Sequence, residues 1–150
     1  MQIYKAPLND YKFLIKNILD FSNYEYELSD LLMVIEEAAK ISEEILLPIN
    51  QSGDLEGCSF DKGIVKTPKG FKEAYNNFSQ NGWQGIKVNE KYGGQNLPYF
   101  INMIVDEMVS SSNMSFGLYP GLTTSAIEAI EKSASNELKD LYLPKLASGE

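Results

Sequence analysis

The sequence contains no histidine. That removes the commonest general base near neutral pH and the commonest metal ligand. Cys58 is the single cysteine, so no disulfide can close within the chain, as expected for a reducing compartment. It stands in a glycine-rich stretch with no histidine to lower its pKa, which disfavours a catalytic thiol. Positive charge is scarce too: 13 Lys and Arg stand against 21 Asp and Glu, a formal net charge of -8. A surface of that sign repels phosphate backbones, so no nucleic acid is expected as a partner. No apolar run is long enough to span a bilayer. Met1 to Pro7 lacks the apolar stretch of a signal peptide. The expectation is a cytoplasmic protein with no membrane span.

Helical periodicity is what the chain has in quantity. Its 150 residues suffice for one domain with a core. Asp10 is a candidate cap for a short helix with Phe13, Leu14, Ile18 and Leu19 apolar, interrupted by Asn23 and the aromatic run Tyr24 to Tyr26. Ser29 is the expected cap of a longer helix. Leu31, Leu32, Ile35, Ala38, Ala39, Ser42, Ile45, Leu46 and Ile49 recur there at three- and four-residue steps. Glu36, Glu37, Lys40, Glu43 and Glu44 form its wet face, and Pro48 and Gly53 are its expected stop. The Asp61-Lys62-Gly63 turn before Ile64-Val65 fits a short hairpin over 59–66. Thr67-Pro68 reads as the start of a helix carrying Phe71, Ala74, Tyr75 and Phe78, closed by Gly82. Trp83 and Gly85-Ile86 read as extended chain. Pro98 opens another apolar helix that weakens at Ser110 to Asn113. Asn113 to Leu122 reads as a loop broken at Pro120-Gly121, followed by helices near 122–132 and 136–145, the second capped by Ser135. The fold class is therefore all-α, a helical bundle.

Little chemistry is visible in these residues. Glu107 lies on an apolar helix, but such a carboxylate usually reaches solvent or a basic partner. Tyr92-Gly93-Gly94 lacks the spacing of a phosphate loop and reads as a tight turn. No group qualifies as catalytic, and no cluster qualifies as a metal site. The stretch Asn113 to Leu122 alternates apolar and small residues, as either a packed plug or a pocket wall would.

Several strings go further together than singly. Leu47-Pro48-Ile49-Asn50 is followed by Gly53-Asp54, Thr67-Pro68-Lys69-Gly70-Phe71, Gly82-Trp83, Tyr92-Gly93-Gly94-Gln95 and Leu97-Pro98. Asp106-Glu107-Met108, Tyr119-Pro120-Gly121-Leu122-Thr123, Tyr142-Leu143-Pro144-Lys145-Leu146 and Ser148-Gly149-Glu150 then follow in order. In this order and spacing the chain resembles the N-terminal helical domain of acyl-CoA dehydrogenases over nearly its whole length. Tyr4 to Asp10, with Phe13-Leu14, resembles the extension of a longer bacterial subgroup that includes 3-methylmercaptopropionyl-CoA dehydrogenases.

The resemblance implies an extension over 1–28 and the helical domain over 29–150, with the family's middle β-domain and C-terminal bundle absent from the sequence. It implies an FAD-dependent oxidoreductase that dehydrogenates an acyl-CoA thioester between its α and β carbons. Electron-transferring flavoprotein is the implied acceptor, and a homo-oligomer the implied assembly. The catalytic glutamate and most of the FAD site have no counterpart here, so the chain alone is expected to be inactive. Phe116, Gly117, Leu118, Tyr119 and Gly121 are the residues that the resemblance assigns to the acyl-chain pocket. Gly121 stands where some relatives carry a larger side chain. A non-catalytic helical interaction module and a relative of acyl-CoA oxidases are the alternatives. Apolar surface near Phe116 to Leu122, and near Trp83, would be exposed in the isolated chain. The 150-residue chain should therefore be helical and self-associate; a monomer at every concentration in analytical ultracentrifugation would contradict this.

Overall fold

The computed structural model describes residues 3–20, 22 and 25–150. Asn23 and Tyr24, expected to interrupt the first helix, lie outside the described residues. Six α-helices and one small hairpin make up the described fold, in keeping with the all-α reading.

Helix α1, Leu8–Asn17, starts earlier than an Asp10 cap would place it. Its buried residues are Tyr11 and Ile15, while Phe13, Leu14 and Ile18 point to solvent. Of the four apolar residues expected on this helix, Leu19, beyond its end, is the one that packs against the core. Tyr11 and Ile15 are four residues apart and share one stripe.

The long helix does not take Ser29 as its cap: it begins at Leu28, two residues sooner than that cap implies, with Glu27 at the N-cap, and it does not stop at Pro48. Helix α2, Leu28–Lys40, runs into a π-helix, Ile41–Leu46, and then into α3, Leu47–Glu56, which ends at Gly57. Proline has no amide hydrogen, and its ring presses on the carbonyl four residues back. The turn before Pro48 widens instead of breaking: Leu47 N donates to Ser42 O in the π pattern. Glu43 of this widened turn accepts from Lys5 Nζ at 2.6 Å and from Ala6 N at 2.9 Å, which pins the N-terminal residues to it. Burial alone would push the Glu43 carboxyl up, but these hydrogen bonds prevail and hold it below the ordinary carboxylate range.

Strands β1, Ser59–Asp61, and β2, Ile64–Lys66, form the expected hairpin, with Phe60 opposite Val65. Lys62 and Gly63 both have positive φ, as a two-residue turn matched to strand twist requires. Helix α4, Phe71–Gln80, starts three residues later than Thr67-Pro68 suggested, because Gly70 occupies the N-cap with φ +91°. Trp83–Gly85 is a 3-10 turn rather than extended chain.

Asn113 to Leu122 is not a loop. Helix α5 spans Tyr99–Ser133 and is kinked at Asn113, whose φ of -156° and ψ of 87° are not helical. Pro120 lies inside its second arm without ending it. The kink is sharp. On a straight helix Tyr99 and Glu128 would stand about 43 Å apart. Here Lys87 pairs with Glu128 while its Nζ sits 5.0 Å from the Tyr99 ring centroid. Asn113 is fully buried and serves both sides of the bend. Its Oδ1 accepts from Phe116 N at 3.0 Å, capping the second arm, and its Nδ2 donates to Leu46 O at 3.1 Å.

Helix α6, Asn136–Ser148, is capped by Ser135 Oγ as expected and ends at Gly149 with φ +80°. The main core holds Ile15, Leu31, Ile35, Leu46, Phe71, Phe78, Ile86, Ile101, Met108 and Phe116. A second cluster joins Val88, Ile127, Leu143 and Ala147. Among the described residues, no helix is long and apolar enough to cross a membrane.

Asn113→Ala should destabilise the chain by about 1–3 kcal/mol, since it removes the cap on Phe116 N and the buried bond to Leu46 O. Asn113→Asp keeps the cap but loses the donor to Leu46 O, and should also destabilise. Urea unfolding followed by circular dichroism measures both; an unchanged midpoint would remove Asn113 from this role.

Candidate functional site: an apolar cleft between α4 and α5

An open cleft of about 380 Å³ is lined by Thr67, Phe71, Lys72, Tyr75 and Tyr119. Two glycines build it. Gly70 supplies the left-handed residue from which α4 begins. Gly53 on α3 lies so close to Phe71 that a Cβ would sit 2.4 Å from the ring. The Phe71 ring therefore rests on bare backbone, with its centroid 6.3 Å from Phe116 and 6.1 Å from Tyr119. Phe78 meets Phe116 edge-on at 5.7 Å. Such edge contacts add about 0.5–1.5 kcal/mol each beyond burial, which stiffens this wall.

The five residues expected at the acyl pocket sit on one helical arm, where successive side chains turn by about 100°. Phe116 is fully buried in the main core, contrary to the exposed surface expected there. Tyr119 lines the cleft and is 39% exposed. Leu118, with Leu122 four residues on, faces solvent at 62% and 75% exposure. Gly117 would bring a Cβ into ordinary contact with Val109 and Ser110, whereas Gly121 has open space around it. The helix thus divides the set into an inward part, a cleft edge and an open face.

Sequence reasoning missed Thr67, Lys72 and the cleft role of Phe71 and Tyr75. Phe71 and Tyr75 read only as a core stripe, and no local signal separates a buried aromatic from one whose edge is open. Cys58 is exposed, and its Sγ lies 3.9 Å from Tyr119 Oη. Burial raises the Tyr119 phenol above its ordinary pKa, and Cys58 adds to this. Glu107 is exposed on the first arm, away from the cleft lining. Its charge reaches Tyr4 and Tyr11, whose phenols burial raises first and Glu107 second.

The cleft offers hydroxyls, one ammonium and apolar rings, and no carboxylate lines it. It suits an apolar chain and provides no base. No group of three or more potential metal ligands occurs among the described residues. The Tyr92-Gly93-Gly94 turn offers no phosphate cradle, because its amides are spent internally. Gly93 N donates to Glu90 O, Gly94 N to Asn89 O and Gln95 N to Gly85 O. A Cβ on Gly94 would lie 2.0 Å from Val88 O, so close backbone approach is what needs glycine there.

A family model described as "Acyl-CoA dehydrogenase, N-terminal domain" matches residues 28–150. The 3-methylmercaptopropionyl-CoA dehydrogenase of Ruegeria pomeroyi is 35% identical, over 97% of this chain and 26% of the relative. A butyryl-CoA dehydrogenase of Syntrophomonas wolfei is 31% identical, over 98% of this chain and 26% of the relative. The chain thus spans about a quarter of the length of these curated relatives. A solved structure described as the electron transferring flavoprotein of Acidaminococcus fermentans superposes with a TM-score of 0.64 at 22% identity. It covers 87% of this chain and 31% of the solved one, a likeness of fold.

Gly53→Ala should force the Phe71 ring off α3 and cost about 1–3 kcal/mol. Gly121→Ala, with free space and helical backbone, should be neutral or stabilise by up to about 1 kcal/mol. Thermal unfolding of both variants tests the pair; equal effects would contradict the packing described.

Proposed function

Because the chain belongs to the acyl-CoA dehydrogenase family, as its N-terminal helical domain, we propose that it forms one wall of the acyl-chain cavity in an FAD-dependent acyl-CoA dehydrogenase. The single observation that carries this reading is the open apolar cleft at Phe71, Tyr75 and Tyr119. It lies beside the arm on which Phe116, Gly117, Leu118 and Gly121 also stand. A wall of rings and methyls excludes water from a thioester and holds its apolar tail. The reaction is α,β-dehydrogenation of an acyl-CoA thioester. The 35% identity to a 3-methylmercaptopropionyl-CoA dehydrogenase supports a substrate of that type.

The residues of this domain do not by themselves fit FAD. The formal net charge is -8, and the glycine turn has no free amide for a pyrophosphate. The flavin and the base that takes the α-proton are assigned to regions of the enzyme other than residues 3–150. Residues 29–150 then act as the wall and 1–28 as an extension. An electron-transferring flavoprotein is the proposed acceptor, a homo-oligomer the proposed assembly and the cytoplasm the proposed location. A helical interaction module is the second reading, favoured by the exposure of Met114, Leu118 and Leu122 along one arm.

Two measurements test the assignment. The purified 150-residue chain should be colourless and retain no stoichiometric FAD; a bound flavin spectrum would overturn the placing of the cofactor. In the full-length enzyme, Gly121→Leu should lower kcat/KM for bulky acyl-CoAs at least about tenfold and spare short ones. Unchanged chain-length selectivity would remove this arm from the cavity.

A further inference from the structure

The segment Gln84 to Val88 passes beside both arms of α5 and divides its side chains between them. Gln84 is 3% exposed, and its Nε2 donates to Pro120 O at 3.2 Å and to Thr124 Oγ1 at 3.3 Å, both on the second arm. Ile86 enters the main core and Val88 the second cluster. Lys87 stands between them with a side chain only 9% exposed.

A cation so far removed from water needs partners, and those of Lys87 come from both arms. Its Nζ pairs with Glu128 on the second arm and sits 5.0 Å from the Tyr99 ring centroid at the start of the first. The Asp106 carboxylate, also on the first arm, is in electrostatic reach of Lys87 and Glu128 and accepts from Asn102 Nδ2 at 2.6 Å. Loss of surrounding water raises the Asp106 carboxyl, while Asn102 and Lys87 act in the opposite direction.

We propose that Lys87 is a positioning residue, a strut between the arms of α5 that sets the direction of the second arm from its pivot at Asn113. A rigid arm needs more than its pivot to be oriented. Gln84 grips it at Pro120 and Thr124. Glu128 lies about 12 Å beyond Pro120 along the helix, so the Lys87 contact adds a more distant hold. A partly buried ion pair contributes little net stability, yet it selects one geometry, because the carboxylate and the ring face must both meet one ammonium. The consequence for an acyl ligand rests on the reading of Phe116 to Leu122 as a cavity wall; the orientation of the arm does not.

Hydrogen exchange on the 150-residue chain, read by mass spectrometry, tests the strut directly. Lys87→Met should speed exchange across 114–128 at least about tenfold, relative to 31–39 and 101–109. Lys87→Arg, which keeps a cation that can reach Glu128 and Tyr99, should restore protection. Glu128→Gln, on the more exposed partner, should reproduce the local pattern even where Lys87→Met fails to fold. Even acceleration over the whole chain, no change at 114–128, or no rescue by arginine would overturn the proposal. Local loosening together with unaltered acyl selectivity in Gly121→Leu would leave the strut standing and remove the cavity wall.

Discussion

Asn113 holds the two main backbone distortions of the fold to one another. The π turn before Pro48 and the bend in α5 are far apart in sequence, yet one side-chain amide donates to Leu46 O and accepts from Phe116 N. Each distortion alone would sit among buried groups, where an unpaired carbonyl or amide costs about 1–3 kcal/mol. Joined through Asn113, they bring α3 against the bend of α5. The ring of Phe71 can then rest on Gly53 and meet Phe116 and Tyr119. The cleft is a consequence of that junction.

The second arm of α5 leaves the bend with little apolar cover on one side. Its inner residues, Phe116, Pro120 and Ile127, are buried, while Leu118 and Leu122 face outward. A helix apolar on two faces packs on more than one neighbour. That agrees with membership of a family in which two curated relatives are about four times the length of this chain. Gln84 and Lys87 are the polar holds on the same arm, and both come from one short segment whose own backbone is a 3-10 turn and its continuation.

Much of the architecture could be read in advance. Periodicity found the helices, Ser135 marked the start of α6, and Lys62-Gly63 marked the hairpin turn. The ordered strings pointed to the family. The failures have a common physical origin. Pro48 and Pro120 read as breaks because proline opposes α-helix locally. In the fold, one is accommodated by a wider turn and the other lies inside an arm gripped by Gln84. The apolar residues expected on the first helix omit Tyr11 and Ile15, the two that are buried. Thr67, Lys72 and Tyr75 could not be placed beside Tyr119 from the sequence, because only α4 packing beside α5 brings these four to one cleft.

The sequence by itself determined the helical class, the acidic surface, the lack of histidine chemistry and the family, since these depend on composition, local periodicity and the order of short strings. Tertiary structure alone decided that residues 113–122 are a bent helix and not a loop, which of five candidate residues face the cleft, and where Lys87 finds its counter-charge. Each of those depends on hydrogen bonds and contacts between residues tens of positions apart. Local propensity carries no information about such partners.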